Sequence, residues 1–128
     1  MSYPIHDLYI RPLQMEQGPD GARLEVLRYS DHLLRRFGLA EVVFLETGQV
    51  RPATLREVAD EVWALVEGSV QFSWRDQRPS SPTRGATHEL DCDQPTLVLA
   101  PFGVEFEVRA VDGPAHLLRL ATHESDEE

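Results

Sequence analysis

Two adjoining stretches decide the fold: Glu61-Val-Trp-Ala-Leu-Val-Glu-Gly-Ser-Val-Gln-Phe-Ser-Trp74 and, directly after it, Asp76-Gln-Arg-Pro-Ser-Ser-Pro-Thr-Arg-Gly85. In the first, apolar runs flank Glu67-Gly68, which predicts a β-hairpin with a two-residue loop. This pairing places Trp63 opposite Phe72 and collects the aromatic residues on one face. We expect that face, with a carboxylate at its end, to line a cavity. The other face is also rather apolar, which suits packing on a second sheet or subunit.

Short apolar runs continue along most of the chain. From residue 42 onward they cover 42–46, 50–58, 62–66, 70–74, 87–92, 96–99, 104–111 and 115–121. Two further runs, 8–13 and 23–28, lie on either side of the turn Gly18-Pro19-Asp20-Gly21. Seven or eight short strands with this spacing are typical of a β-sandwich or barrel. Segment 30–37, with Ser30 as N-cap and Gly38 after its end, is predicted as one short helix.

Length and charge exclude several classes of function. The chain of 128 residues has the size of one domain, which we assign to residues 1–123, with 124–128 as an acidic disordered tail. A formal charge of −10 makes nucleic acid and anionic membranes poor partners. Cys92 is the only cysteine, so no intrachain disulfide can form. Without a signal sequence or an apolar run of about 18 residues, a cytoplasmic protein is expected.

From about residue 20 to 122 the order of features resembles the cupin superfamily, and within it the dTDP-4-dehydrorhamnose 3,5-epimerase branch. The shared features are the Asp20-Gly21 turn, a strand with Arg51 at its turn, the Glu-Gly loop, segment 76–85 with its Ser-Pro-Thr sequence, and the turn Pro101-Phe-Gly103. The resemblance implies an all-β, cupin-type jelly-roll barrel or sandwich with one short helix. It also implies a homodimer with a nucleotide sugar as ligand.

The chain departs from that family at its catalytic positions. After the arginine the family has Gly, Leu and a general-base histidine, whereas Pro52-Ala53-Thr54 follows Arg51 here. A threonine cannot remove a proton next to a ketone at neutral pH. Strand 115–121 lacks the family's tyrosine acid, and the family's lysine is replaced near Glu61. Any isomerase activity would therefore need a different base.

The metal-binding pattern of cupins is also incomplete. It needs two histidines separated by one residue, then a glutamate, then a third histidine after Pro-x-Gly. There is no histidine between His32 and His88, and Phe106 stands where the third would be. We expect neither a metal nor another cofactor.

The remaining candidates for ligand binding are arginines and aromatic residues: Arg23, Arg51, Trp63, Phe72, Trp74 and Arg75. Guanidinium forks match the oxygens of a diphosphate, although each arginine could instead pair with one of the 22 acidic residues. The aromatic rings could stack on a base or sugar, or fill the barrel. Glu61 is the candidate catalytic acid–base group, or else a rim carboxylate. Asp76 and Arg78 are interpreted as a strand-end ion pair.

Two classes of function follow. The first is a divergent sugar-nucleotide-epimerase-like cupin that binds a nucleotide sugar or other small anionic metabolite, with isomerase activity only through a base the family does not use. The second is a non-enzymatic, metal-free cupin, plugged by Trp63, Phe72, Trp74 and Phe106, that acts as a dimerising or regulatory module. A cavity of about 300 Å³ or more with convergent polar groups favours the first, and a filled interior the second.

Overall fold

The structure, a computed structural model, describes residues 4–125. In that range one 3-10 turn (Tyr29–Asp31) accompanies eleven strands: β1 (Ile10–Pro12), β2 (Met15–Gly18), β3 (Gly21–Leu24), β4 (Leu39–Leu45), β5 (Val50–Thr54), β6 (Glu61–Glu67), β7 (Val70–Asp76), β8 (Thr87–Cys92), β9 (Thr96–Ala100), β10 (Val104–Ala110) and β11 (Ala115–Ala121). Strands β4 to β11 coincide with the eight runs predicted from residue 42 onward. Their ends differ from the predicted ones by at most four residues.

Two antiparallel sheets form the layers of a sandwich. One has five strands in the order β1-β9-β6-β11-β4, and the other has four in the order β5-β10-β7-β8. The hairpin β2-β3 stands apart from both. Every second residue of β10 and β11 is buried between the layers, as the period of two along a strand requires. The predicted all-β sandwich is confirmed.

The hairpin predicted between β6 and β7 is wrong. β6 pairs with β9 and β11, while β7 pairs with β8 and β10 in the opposite sheet. Gly68 carries the chain from one layer to the other at φ +102°, and a Cβ there would collide with the carbonyl oxygen of Pro114. Alternation predicts which face a residue takes, but not which strand lies beside it. The predicted inward face is confirmed, because Trp63 and Phe72 are both buried between the sheets.

Segment 30–37 is not a helix. The 3-10 turn Tyr29–Asp31 ends at His32, whose left-handed backbone (φ 54°) stops it. The chain beyond it packs Leu33 and Leu34 against the outer face of the five-stranded sheet. An eight-residue segment has little helical stability of its own, so burial of these leucines decides its conformation.

The outer face of the five-stranded sheet is covered by the N-terminal part of the same chain. Val62, Ala64 and Leu97 are fully buried there. The side chains packed over them include Leu13, Leu24, Val26, Leu27, Leu33 and Leu34. The second apolar face that suggested a subunit contact is therefore satisfied within the monomer. Exposed apolar residues remain on the edge strand β4, where Val42 and Phe44 are 57% and 67% exposed.

The two ends of the chain lie partly outside the described residues. The division into a domain over 1–123 and an acidic tail over 124–128 stays a prediction, because residues 126–128 lie outside the described range. Within residues 4–125, no helix has the length and apolarity to cross a membrane. The same range contains no group of three or more His, Cys, Asp or Glu side chains arranged to hold a metal ion.

Candidate ligand site between the sheets

A cavity of about 150 Å³ lies between the two sheets beside the edge strand β5. It is lined by Arg51, Thr54, Arg56, Glu61, Trp63, Phe106, Val108 and Arg119. Three arginines and one glutamate are among these residues, in a chain whose net charge is −10. A concentration of positive charge in an enclosed space favours an anionic ligand.

A β-bulge in β5 turns two of these residues toward the cavity. Thr54 pairs with Phe106 and Arg51 pairs with Val108. These partners are three residues apart on β5 but only two residues apart on β10, so β5 contains one extra residue. Without the bulge, residues 51 and 54 would face opposite sides of the sheet. Pro52 is tolerated because β5 is an edge strand. Thr54 thus lies at the cavity, where the resemblance expects a histidine base, and its hydroxyl donates to the Pro52 carbonyl at 2.9 Å.

Glu61 lies at the centre of a buried ion network. Its Oε2 accepts hydrogen bonds from Arg56 Nη1 at 2.8 Å and from Arg119 Nε at 3.0 Å, and Arg119 Nη2 also donates to it. Its Oε1 accepts from Trp63 Nε1 at 3.0 Å. Four N–H groups therefore hold a carboxylate that is only 7% exposed. The arrangement fixes the positions of both guanidinium groups.

Glu41 extends the network toward the solvent. Its Oε1 accepts from Arg119 Nη1 at 2.9 Å and from Arg51 Nη2 at 3.3 Å. Burial by itself lowers the pKa of Arg119, but hydrogen bonds and Coulomb attraction from Glu61 and Glu41 outweigh it and raise that pKa overall. Arg119 therefore stays cationic. Its side chain is 7% exposed, whereas that of Arg51 is 40% exposed and marks the mouth of the cavity.

The ring of Trp63 forms one wall of the cavity, and the guanidinium groups of Arg51 and Arg119 lie over it. The guanidinium carbon of Arg51 lies 5.3 Å from the ring centroid, and that of Arg119 lies 6.0 Å from it. Both distances are in the range of cation–π attraction. The ring that was expected to stack on a sugar or base is therefore overlaid by cations.

Aromatic side chains fill the interior beside the cavity. Phe106 is the centre of this group, with ring centroids 5.6 Å from Trp63, 5.7 Å from Phe72 and 5.5 Å from Trp74. Trp74 also donates from Nε1 to the Leu99 carbonyl at 3.1 Å. The four rings predicted as a possible plug do pack together. The space left is smaller than the roughly 300 Å³ expected of a small-molecule site, although its polar groups converge.

The other predicted ligand residues lie elsewhere. Arg23 is on the exposed β2-β3 hairpin, where its Nε donates to Glu16 at 3.1 Å. Arg75 is exposed on β7, because Trp74 takes the inward position and the next residue must point out. Phe72 belongs to the aromatic group and does not line the cavity. Of the three predicted arginines, the structure brings only Arg51 to the cavity, together with Glu61 and Trp63.

Sequence reasoning missed Arg56, Arg119 and Glu41. Arg119 could have been found, because it is the one charged residue among the inward positions 115, 117, 119 and 121 of β11. Glu41 could have been found in the same way, because it shares a face of β4 with the buried residues 43 and 45. Arg56 lies in the irregular segment between β5 and β6, where no periodicity predicts the direction of a side chain.

The loop after β7 is held by hydrogen bonds to the carboxylate of Asp76. Asp76 is fully buried and accepts from Arg78 Nε at 2.9 Å, Ser81 Oγ at 2.6 Å and Thr83 Oγ1 at 2.7 Å. The guanidinium of Arg78, and after it the two hydroxyls, hold the pKa of Asp76 well below its usual range despite burial. The predicted ion pair is confirmed. A depression of about 680 Å³ beside this loop contains Arg78, but that side chain is committed to Asp76.

Comparison with known proteins agrees with the fold. No protein-family model matches the sequence. The spore coat polysaccharide biosynthesis protein SpsL of Bacillus subtilis (strain 168) is 28% identical over 109 residues, which cover 84% of this chain and 72% of SpsL. The dTDP sugar isomerase from Desulfovibrio desulfuricans G20 superposes with a TM-score of 0.86 at 20% identity, over 96% of this chain and 81% of that one.

A further structural neighbour is the dTDP-6-deoxy-D-glucose-3,5-epimerase RmlC from Legionella pneumophila Philadelphia 1, in complex with dTDP-4-keto-L-rhamnose. It superposes with a TM-score of 0.82 at 16% identity, over 96% of this chain and 70% of the epimerase. These similarities confirm the predicted resemblance at the level of the fold. The chain has the cupin-type jelly-roll fold of the dTDP-sugar epimerases and isomerases.

Proposed function

We propose that the protein binds a nucleotide sugar, or another small anionic metabolite, with an anionic group at the cavity between the sheets. The observation that carries this proposal is the convergence of Arg51, Arg56 and Arg119 on one cavity of a strongly acidic protein. Two proteins of the same fold are named as acting on dTDP sugars, and one of them holds such a sugar.

Arg51 is the residue that meets phosphate. Within the described residues it makes one hydrogen bond, the 3.3 Å contact with Glu41, and its side chain is 40% exposed at the cavity mouth. Most of its five N–H donors are therefore available to a diphosphate, which a guanidinium binds in a forked geometry. Stacking on Trp63 limits the directions in which the fork can turn.

Arg51→Gln is expected to abolish stabilisation of the protein by dTDP. In the wild type, dTDP at a hundredfold excess over its dissociation constant adds about 2.7 kcal/mol to the unfolding free energy, which a thermal-shift titration measures. Arg109→Gln is the matched control, because Arg109 lies on the neighbouring strand β10 with a side chain 51% exposed. A dTDP shift that persists in Arg51→Gln would remove this arginine from the site.

We do not propose that this protein carries out the proton transfers that the resemblance to the epimerases implies. Thr54 lies at the position of the expected base, and Arg119 lies on the strand expected to carry a tyrosine acid. We assign Glu61 to anchoring Arg56 and Arg119, because four N–H groups already occupy its oxygens.

No exchange of carbon-bound hydrogen is therefore expected with a 4-keto-deoxysugar nucleotide. Incubated in D₂O with the wild type and followed by proton NMR, dTDP-4-keto-6-deoxyglucose should lose its C3 and C5 protons no faster than without protein. Faster loss would show that a base operates in the cavity, and Glu61→Gln would then test whether it is Glu61.

A non-enzymatic dimerising module is the second candidate. The aromatic rings around Phe106 and the cavity of about 150 Å³ favour it. Its interface would be β4, an edge strand that pairs with β11 alone among residues 4–125 and exposes Val42 and Phe44. Two copies of an antiparallel edge can pair about a twofold axis and cover these side chains. We propose this homodimer for either function.

Phe44→Asp is expected to convert the dimer into a monomer. A carboxylate placed on the paired edge would have to be buried, which is costly even with His116 opposite it on β11. Light scattering during size-exclusion chromatography gives the mass. Phe37→Asp is the control, since Phe37 is equally exposed at 67% but lies outside β4. A monomeric wild type, or a dimeric Phe44→Asp variant, would contradict the proposed interface.

A further inference from the structure

We infer that the depression of about 680 Å³ beside the loop after β7 binds an adenine base, with Phe102 stacked on the ring and the amide of Gln77 paired with its edge. The depression lies outside the cavity between the sheets, so the inference goes beyond the proposed function and does not depend on it. Two sequence features that the proposed function leaves unused, segment 76–85 and the turn 101–103, both contribute to this depression.

Backbone hydrogen bonds join the walls of the depression. The amide of Gln77 donates to the Gly103 carbonyl at 3.0 Å, and the amide of Gly103 donates to the Arg56 carbonyl at 2.7 Å. Gly103 has φ +79°, and a Cβ there would collide with the side chain of Arg78. The loop after β7, the turn 101–103 and the segment between β5 and β6 therefore hold one another in place. The depression is preformed, as small-molecule sites usually are.

The apolar side of the depression includes an aromatic ring. Phe102 and Leu55 line it and are 46% and 40% exposed, and Pro79 and Pro82 line it as well. The amide of Phe102 donates to Asp60 Oδ1 at 2.9 Å, which fixes the backbone that carries the ring. A flat base stacked on Phe102 would remove this apolar surface from water, and bases of any sequence stack on aromatic side chains.

The charged groups at the depression are already paired. Arg78 is the one arginine among the described residues that line it, and its guanidinium lies 2.9 Å from Asp76. His6 lies 3.3 Å from Asp7. By contrast, the side-chain amide of Gln77 forms no hydrogen bond within residues 4–125, so its donor and its acceptor are both available. The depression therefore favours a neutral, hydrogen-bonding group and not a phosphate.

Adenine combines the two properties that this lining requires. A glutamine amide pairs with N6 and N7 of adenine in bidentate geometry, because one atom donates and the other accepts. Gln77 is a neighbour of Phe102, since its backbone amide donates to Gly103, the next residue along the turn. A ring stacked on Phe102 would thus present its edge to Gln77. The volume of about 680 Å³ is within the range of about 300–1,000 Å³ that small-molecule sites have, and it accommodates a purine with its ribose.

A matched pair of nucleosides tests the inference on the wild-type protein. Adenosine and N6,N6-dimethyladenosine share the ring and the ribose, but the methyl groups remove both N6 donors. Isothermal titration is expected to show adenosine binding at least about fivefold tighter, as loss of a bidentate pair predicts. Ribose, which lacks the base, should not bind. Equal affinities for the two nucleosides, or no binding of adenosine at millimolar concentration, would overturn the inference.

Two substitutions test the two contacts separately. Phe102→Ala should weaken adenosine binding at least about fivefold, as loss of one base–aromatic stack does. Gln77→Ala should bring the affinities of the two nucleosides within about twofold of each other, because the amide that distinguishes them is gone. Phe37→Ala is the matched control, since Phe37 is 67% exposed and does not line the depression.

Either variant can contradict the inference. Unchanged adenosine affinity in a folded Phe102→Ala protein, or persistent discrimination in Gln77→Ala, would overturn it. Both side chains are exposed, so we expect both variants to fold. If one of them does not fold, the comparison of the two nucleosides on the wild type decides.

Competition with dTDP distinguishes the depression from the cavity. Saturating dTDP should leave the affinity for adenosine unchanged, because Arg51 lines the cavity and not the depression. Displacement of adenosine by dTDP would place both ligands at one site and overturn the inference.

Discussion

Asp76→Asn is expected to lower the free energy of unfolding by about 3–5 kcal/mol, as removing one partner of a buried ion pair does. Asp76 is fully buried, and the substitution leaves the guanidinium of Arg78 only the 3.5 Å contact with Asp7, whose side chain is 60% exposed. The asparagine NH₂ would also face hydroxyl groups of Ser81 and Thr83 that now donate to the carboxylate. Chemical denaturation measures the loss.

Asp91→Asn is the control for this substitution. Asp91 is exposed on β8 and accepts one hydrogen bond from Gln71 Nε2 at 3.1 Å. A surface substitution of this kind changes stability by no more than about 0.5 kcal/mol. A decrease in the free energy of unfolding of less than about 1 kcal/mol in Asp76→Asn would show that the hydrogen bonds to Asp76 do not stabilise the loop after β7.

The same carboxylate makes stability depend on pH. The folded state holds the pKa of Asp76 below its usual range. In the unfolded state the aspartate has its reference pKa of about 3.9. Below that pH the unfolded state binds more protons, so the contribution is complete above it and is lost as pH falls toward the folded-state pKa. Unfolding free energies measured between pH 5 and acid should therefore fall more steeply for the wild type than for Asp76→Asn.

Glu61→Gln is expected to cost a similar amount, about 3–5 kcal/mol, because it removes the buried carboxylate that Arg56 and Arg119 share. Arg56 and Arg119 both donate to Glu61 Oε2, and their side chains are only 16% and 7% exposed. The amide of glutamine cannot neutralise either of them. Thermal or chemical denaturation at neutral pH measures the effect.

A double substitution separates loss of the ion network from loss of packing. Arg119→Met alone should also be destabilising, since it leaves Glu61 and Glu41 with fewer donors. The combination Glu61→Gln with Arg119→Met should cost at least about 1 kcal/mol less than the sum of the two single changes, as expected for contacting residues. Strict additivity would mean that the two side chains are not coupled.

The strands and their inward faces could be predicted because they depend on local alternation. Trp63 and Phe72 are buried as their positions in the pattern require. The partner of each strand could not be predicted, because a turn at Gly68 can form a hairpin or cross between layers with the same alternation. The choice between these two geometries depends on strands distant in sequence, because β6 pairs with β9 and β11 while β7 pairs with β8 and β10.

The site was predictable only in part, for a related reason. Arg51 and Glu61 were predicted from the resemblance and from the alternation, and both reach the cavity. Arg23 carries the same chemistry but lies on a separate hairpin. The inward direction of Arg56 depends on the path of an irregular segment, which no residue pattern encodes.

The two tryptophans allow the most direct test of ligand binding at the cavity. Trp63 lines the cavity and donates from Nε1 to Glu61, whereas Trp74 donates to the Leu99 carbonyl and does not line it. Each gives one indole signal in a ¹H–¹⁵N spectrum, and Trp74→Phe assigns them. Titration with dTDP-glucose is predicted to move the Trp63 signal until it saturates while the Trp74 signal stays in place. If neither indole signal moves at millimolar ligand, or if only that of Trp74 moves, the cavity is not the binding site.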